Sequence, residues 1–204
     1  MIVIENYINS FSTYFKQNKQ PWEITNQLPE IIIELIKNCN ADFKIDNNIA
    51  VHKTAVIEAG ATVKSPAIIG TNCFISANAY LRGGVFLAAA VKIGTGCEIK
   101  SSIIFNETAI AHFNFIGNSI IGSHVNFEAG AVTANHYNER ADKQIEVLHN
   151  GTIIKTNTNK FGALAGDNCK IGANAVLSPG TLLTKSTIVK RLELVEQVIP
   201  FRTL

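Results

Sequence analysis

The stretch "VHKTAVIEAGATVKSPAIIGTNCFISANAYLRGGVFLAAAVKIGTGCEIK" fills residues 51–100. Cut into sixes from Val51, each piece opens on an apolar residue: Val51, Ile57, Val63, Ile69, Ile75, Leu81, Leu87, Ile93 and Ile99, with Phe105 and Ala111 carrying the series on. The fifth place is mostly small: Ala55, Ala61, Ala67, Cys73, Ala79, Val85, Val91 and Cys97, then Ile103 and Ala109. Neither the strand period of two nor the helix period of 3.6 keeps such a register. A period of six with an aliphatic and a small residue marks a hexapeptide β-helix.

Three hexapeptides make one triangular coil with a short strand on each side, and coils stack through parallel strand pairing about 4.8 Å apart. The aliphatic points into the prism, and the small residue fills the space near the corner. Cys73, Cys97 and Cys169 then read as buried space-filling thiols. The four cysteines show no C-x-x-C spacing, which argues against a zinc knuckle or a disulfide framework.

The register slips after Ala111 and resumes at Ile121, which makes residues 116–120 a five-residue rung. It is lost over about 134–159, a polar excursion of the kind that usually serves function. It returns at "AGDNCK" and runs to about residue 190, giving roughly six coils over 49–190. Residues 1–48 differ. Ile4, Tyr7, Ile8, Phe11 and Tyr14/Phe15 form a helical stripe, and Pro29 opens an apolar helix. Two helices are expected beside or over the first coil, capping its open strand edge. Residues 191–204 are expected to pack along the prism or reach a neighbour. The fold class is all-β: a parallel β-helix with a short N-terminal helical cap.

A net charge of +2, with no block of like charge, argues against a nucleic-acid partner. No apolar run approaches the roughly 18 residues of a membrane span. The start "MIVIENYINSFSTYF" lacks a basic n-region, so a cytoplasmic protein is expected.

His112 stands alone in "AIAHFNFIG", residues 109–117, either a core histidine or a catalytic one. His112, His124 and His136 recur every twelve residues, which raises a zinc site. The register slip between the first two weakens that reading, and no metal is expected. His52 and His149 read as surface residues.

Residues 80–136 resemble the acetyltransferase domain of the bifunctional N-acetylglucosamine-1-phosphate uridyltransferase/glucosamine-1-phosphate acetyltransferase family. The likeness rests on "YLRGG", "CEIKSS", "AHFNFIGNSIIG" and "EAGAVTAN". Archaeal sugar-1-phosphate nucleotidyltransferases with an amino-sugar acetyltransferase domain are similar further on, through "KFGALAGDNCKIGANAVLSPGT". The resemblance covers about residues 50–188. It implies a left-handed β-helix, a homotrimer with grooves between prisms, and acetyl-CoA as co-substrate.

The resemblance also implies roles. His112 falls on the catalytic base and Glu98 on the carboxylate that orients it. Arg82 and Lys100 match a phosphate-holding pair. Asn126 and Asn135 match sugar contacts, with Lys143 a looser match in the excursion. Phe115 stands where the family often has Tyr. Ala129 and Ser178 are candidate acetyl-CoA contacts; Lys185, Lys190 and Arg191 are added by charge alone. Glu128 departs from a glycine of the family.

The implied reaction is acetyl transfer to an amino-sugar phosphate or a nucleotide-linked amino sugar. A Gly-rich nucleotidyltransferase domain is absent ahead of the repeat, so uridylyl transfer is not expected. Two other readings stay open: acyl transfer from acyl-carrier protein, and a non-catalytic β-helix that binds sugar nucleotides.

Overall fold

The computed structural model describes residues 1–16 and 18–198. Residues 49–195 wind into the parallel β-helix expected from the repeat, with the left hand that the resemblance implied. Three faces run along it, each with seven strands. The first face starts at Ile49–His52 and ends at Thr181–Leu183. The second runs from Val56–Ile57 to Ile188–Val189, and the third from Thr62–Val63 to Leu194–Val195. Among the described residues the prism therefore has seven coils, where the repeat suggested about six. Residues 191–195, expected as tail, close the last coil; 199–204 lie outside the described residues.

Three inward columns fill the prism. On the first face they are Val51, Ile69, Leu87, Ile104, Ile121, Ala165 and Leu183, paired strand to strand. Ile104 stands where the sixes placed Phe105. The register shifts earlier than expected, because Gly83–Gly84 at the corner between the third and first faces is matched one coil later by Ser101 alone. Ile99 to Ile104 is one short corner and Ile116 to Ile121 a second, with Ser101 and Asn118 turning it in the left-handed region (φ 47° and 46°). The polar excursion leaves from this same corner one coil further on.

Downstream of the first short corner the small inward slot holds Ser102, Thr108 and Asn114 rather than Ile103 and Ala109. Each is buried and hydrogen-bonded: Thr108 Oγ1, for example, donates to the Gly122 carbonyl at 2.7 Å and accepts from the Val125 N–H.

Ala50, Ile68, Phe86, Ile103, Ile120, Leu164 and Leu182 form the outward column of the first face, and all are buried. The N-terminal segment covers them, through α1 (Phe11–Tyr14), α2 (Pro21–Asn26) and α3 (Leu28–Ile36). The helices thus lie along a face and do not cap the first coil. That edge is instead paired by the antiparallel strand Phe43–Asp46. Phe15 packs edge-on against Phe86 and Phe105, with centroids 5.0 and 6.1 Å apart. Buried Asp167 fastens the segment further along by accepting the Asn9 and Ser123 N–H groups at 2.9 and 2.8 Å.

Candidate functional site

The third face stays open and carries charge. Side chains flanking the inward Leu81, Ile99 and Ile116 must point outward. Tyr80, Glu98 and Phe115 pair in register there, and Arg82, Lys100 and Gly117 pair two residues on. Arg82 donates to Glu98 Oε1 from Nε at 2.7 Å and from Nη2 at 2.6 Å. Glu98 therefore anchors the guanidinium. No hydrogen bond joins it to His112 among the described residues, so the expected carboxylate–histidine pair is not formed within the chain.

The outer edge of this face, at the short corner, gathers cations. Partial burial lowers the Lys100 pKa first, with Lys160 and Arg82 adding to the effect against Glu98. The Phe115 ring lies over Gly117, where an added Cβ would come within 2.7 Å of the ring and 2.9 Å of Asn135. Only glycine admits both neighbours. Asn135 is buried, and its Nδ2 donates to Asn118 Oδ1 at 2.7 Å.

The excursion is pinned at its base here. The Phe161 N–H donates to the Asn135 carbonyl at 3.1 Å, and the Gly162 N–H to the Asn118 carbonyl at 3.0 Å. The charge of Lys160, at one end, acts on Lys100 and on His136 at the other end, and Lys100 and Lys143 act on the same imidazole. Trp22 of α2 packs edge-on against Phe161 (5.8 Å), and Asn26 Nδ2 donates to Thr158 Oγ1 at 3.0 Å. Between Thr152–Lys155 and this base the chain is irregular, so no repeat signal pointed to Lys160.

His112 stands at the other edge of the third face, on the corner shared with the second. Its side chain is exposed and accepts no hydrogen bond among the described residues. Its backbone is fixed. The His112 carbonyl accepts the Gly130 N–H at 2.9 Å and Nδ2 of buried Asn114 at 3.2 Å, while Asn114 Oδ1 accepts the Ala131 N–H at 2.8 Å. Asn114, absent from the candidates, holds this corner. Beside it Phe113 is 68% exposed and left-handed (φ 56°), its ring lying against Gly96, where an added Cβ would come within 2.5 Å. Ala129 occupies the His112 position one coil further on.

The remaining candidates divide. Asn126, expected as a sugar contact, lines a groove of about 510 Å³ on the second face with Glu128, Lys170, Ile188, Lys190 and Arg191. Arg191 is held by Glu128 through two 2.7 Å bonds, and Glu128 also accepts the Ala173 N–H at 2.9 Å. The guanidinium, helped by that N–H, brings the Glu128 pKa down to about 2. Ser178 is buried at the corner between the third and first faces. Lys185 lies at the remaining corner, bound to the Glu5 carbonyl and to Asn9 Oδ1 at 2.6 Å. These two share no surface with Ala129, Lys190 and Arg191. His112, His124 and His136 fall on three different corners, and no cluster of three metal-ligating side chains occurs among the described residues. No described helix is long and apolar enough to cross a membrane.

No family model matches the chain. It is 35% identical over 182 residues to the "Bifunctional protein GlmU" of Methanococcus maripaludis, covering 86% of this chain and 43% of that protein. It is 30% identical over 177 residues to a "Bifunctional sugar-1-phosphate nucleotidylyltransferase/acetyltransferase" of Sulfurisphaera tokodaii, covering 83% and 43%. It is also 29% identical over 198 residues to the "Putative uncharacterized acetyltransferase YaiX" of Escherichia coli K12, covering 89% and 85%. The chain spans less than half the length of the bifunctional relatives.

Proposed function

We propose that this chain, which belongs to the hexapeptide-repeat acetyltransferases, moves an acetyl group from acetyl-CoA to the amine of a phosphorylated amino sugar. The observation that carries the reading is the third face. It has a histidine edge at His112 and a cationic edge at Arg82, Lys100 and Lys160, separated by Phe115.

The acceptor's phosphate binds at the cationic edge. Glu98 holds the Arg82 fork for two-point contact, and Lys100 and Lys160 supply point charges. Asn135 and Phe115 form the floor against the sugar. His112 takes the proton as the amine attacks the thioester carbonyl. The C–N bond forms, the C–S bond breaks, and the thiolate leaves as CoA. The Ala129 N–H, one coil above, faces the developing oxyanion. Lys190 and Lys170, along the groove on the second face, meet the CoA phosphates; Arg191 does so only by leaving Glu128.

The working unit is a homotrimer. Val56, Phe74, Phe113, Leu192 and Leu194 flank the histidine corner and are 38–78% exposed, a band suited to a neighbouring prism. Glu98 does not orient His112 within one chain, so the partner for its free ring nitrogen comes from across that groove.

The test is CoA release from acetyl-CoA with glucosamine 1-phosphate. His112→Ala lowers kcat about 10²- to 10⁴-fold, the usual worth of a positioned base, and leaves the melting temperature in place. Full turnover by that variant overturns the role of His112.

A further inference from the structure

His136 stands apart from the roles assigned above. It follows buried Asn135, whose side chain borders Gly117 on the third face, and the charges of Lys160, Lys143 and Lys100 act on its ring. We propose that His136 is a ligand of the acceptor's phosphate that takes up a proton from solvent as the phosphate binds. This inference rests on the reading of the third face as a phosphorylated-acceptor site.

The hydrogen bonds define the tautomer of His136. Asn135 Nδ2 donates to Asn118 Oδ1 at 2.7 Å, which fixes the amide and turns Asn135 Oδ1 toward His136 Nδ1 at 3.3 Å. An oxygen there requires Nδ1 to carry the hydrogen. In the neutral ring Nε2 is then a bare acceptor, unable to bind a phosphate oxygen.

Charge sets when that changes. Burial lowers the His136 pKa, and Lys160, Lys143 and Lys100 lower it further; Glu139 on the same segment opposes them. Arg82 lies beyond Lys100 and is already matched by Glu98. The empty site is a cluster of cations that repels a further proton. A phosphate dianion reverses the local potential, so the charged imidazole becomes favoured. One proton passes from the buffer to Nε2, and an Nε2–H bond to phosphate forms. No other bond is made or broken.

One consequence follows for binding. Acceptor affinity rises as pH falls, because protonated His136 is the binding form, and His136→Gln loses that rise.

The experiment is calorimetric titration of the full chain with glucosamine 1-phosphate near neutral pH, in buffers of different ionisation enthalpy. The wild type takes up protons on binding. His136→Gln keeps a hydrogen-bonding side chain, binds severalfold more weakly and takes up none. Uptake unchanged in that variant, or absent from the wild type, overturns the proposal. Inorganic phosphate, followed through the His136 ring resonances, is the second probe. If it protonates His136 while the sugar phosphate fails to bind, the acceptor reading falls and the phosphate ligand stands. If neither probe protonates His136, the proposal falls.

Discussion

The first and third faces share one inward pattern and differ in what points outward. On both, a largely aliphatic column fills the prism, broken on the third face by buried Thr133. On the first face the outward column is Ile68, Phe86, Ile103, Ile120 and Leu164, and the N-terminal helices cover it. On the third it is Tyr80, Arg82, Glu98, Lys100 and Phe115, which stay accessible. The repeat therefore sets the scaffold, and the residues between the repeat positions decide which face is core and which is chemistry.

Replacing one residue on each face breaks the comparison most sharply. Phe105→Ala empties a site packed by Phe11, Tyr14 and Phe15. It should cost about 3–5 kcal/mol, as large-to-small changes of buried aromatics do, measured by denaturant unfolding. Lys100→Ala on the open face should raise KM for glucosamine 1-phosphate while shifting stability by less than about 0.5 kcal/mol, as surface changes do. Equal losses of stability from both would mean that the third face is also structural.

The two faces are also coupled. Trp22, from the covering segment, packs on Phe161, the residue after Lys160. Phe161→Leu keeps the site apolar and should cost under about 1.5 kcal/mol, yet it removes the edge-to-face contact that steadies the base of the excursion. The expected outcome is a severalfold higher KM for the phosphorylated acceptor with kcat nearly unchanged. An unaltered KM would show that Lys160 is positioned by the Asn135–Phe161 backbone bond alone.

The repeat was legible because periodicity survives every choice of surface residue. Its first half also led to the right columns through Ile99. Phe105 misled, since an apolar residue at a repeat position looks inward whether it faces the prism or a covering helix; only the missing residue at Ser101 separates the two. His112, Arg82, Lys100 and Asn135 became candidates because they sit inside motifs. Lys160 and His136 also lie in the stretches that carry the resemblance but drew no role at the site, because their place depends on a loop folding back on its own base. Within the chain Glu98 holds Arg82, a contact that strand pairing creates and sequence distance does not display.

The smallest expected effect tests the ion pair at the groove, where neither face dominates. Glu128 is partly exposed and bound to Arg191, and its pKa lies at about 2, well below the 4.5 of a free glutamate. A carboxylate with a lowered folded pKa adds stability above its unfolded pKa and loses it as pH falls toward the folded value. The window here is therefore about 4.5 down to 2. Glu128→Gln removes the charge at every pH. Its melting temperature should lie slightly below that of the wild type above pH 5, and the gap should close as pH falls through that window. The gap stays small because a solvent-exposed pair is screened. A gap as large as that of Phe105→Ala would mean that the pair closes a buried interface, as it would if the second face met a neighbouring prism there.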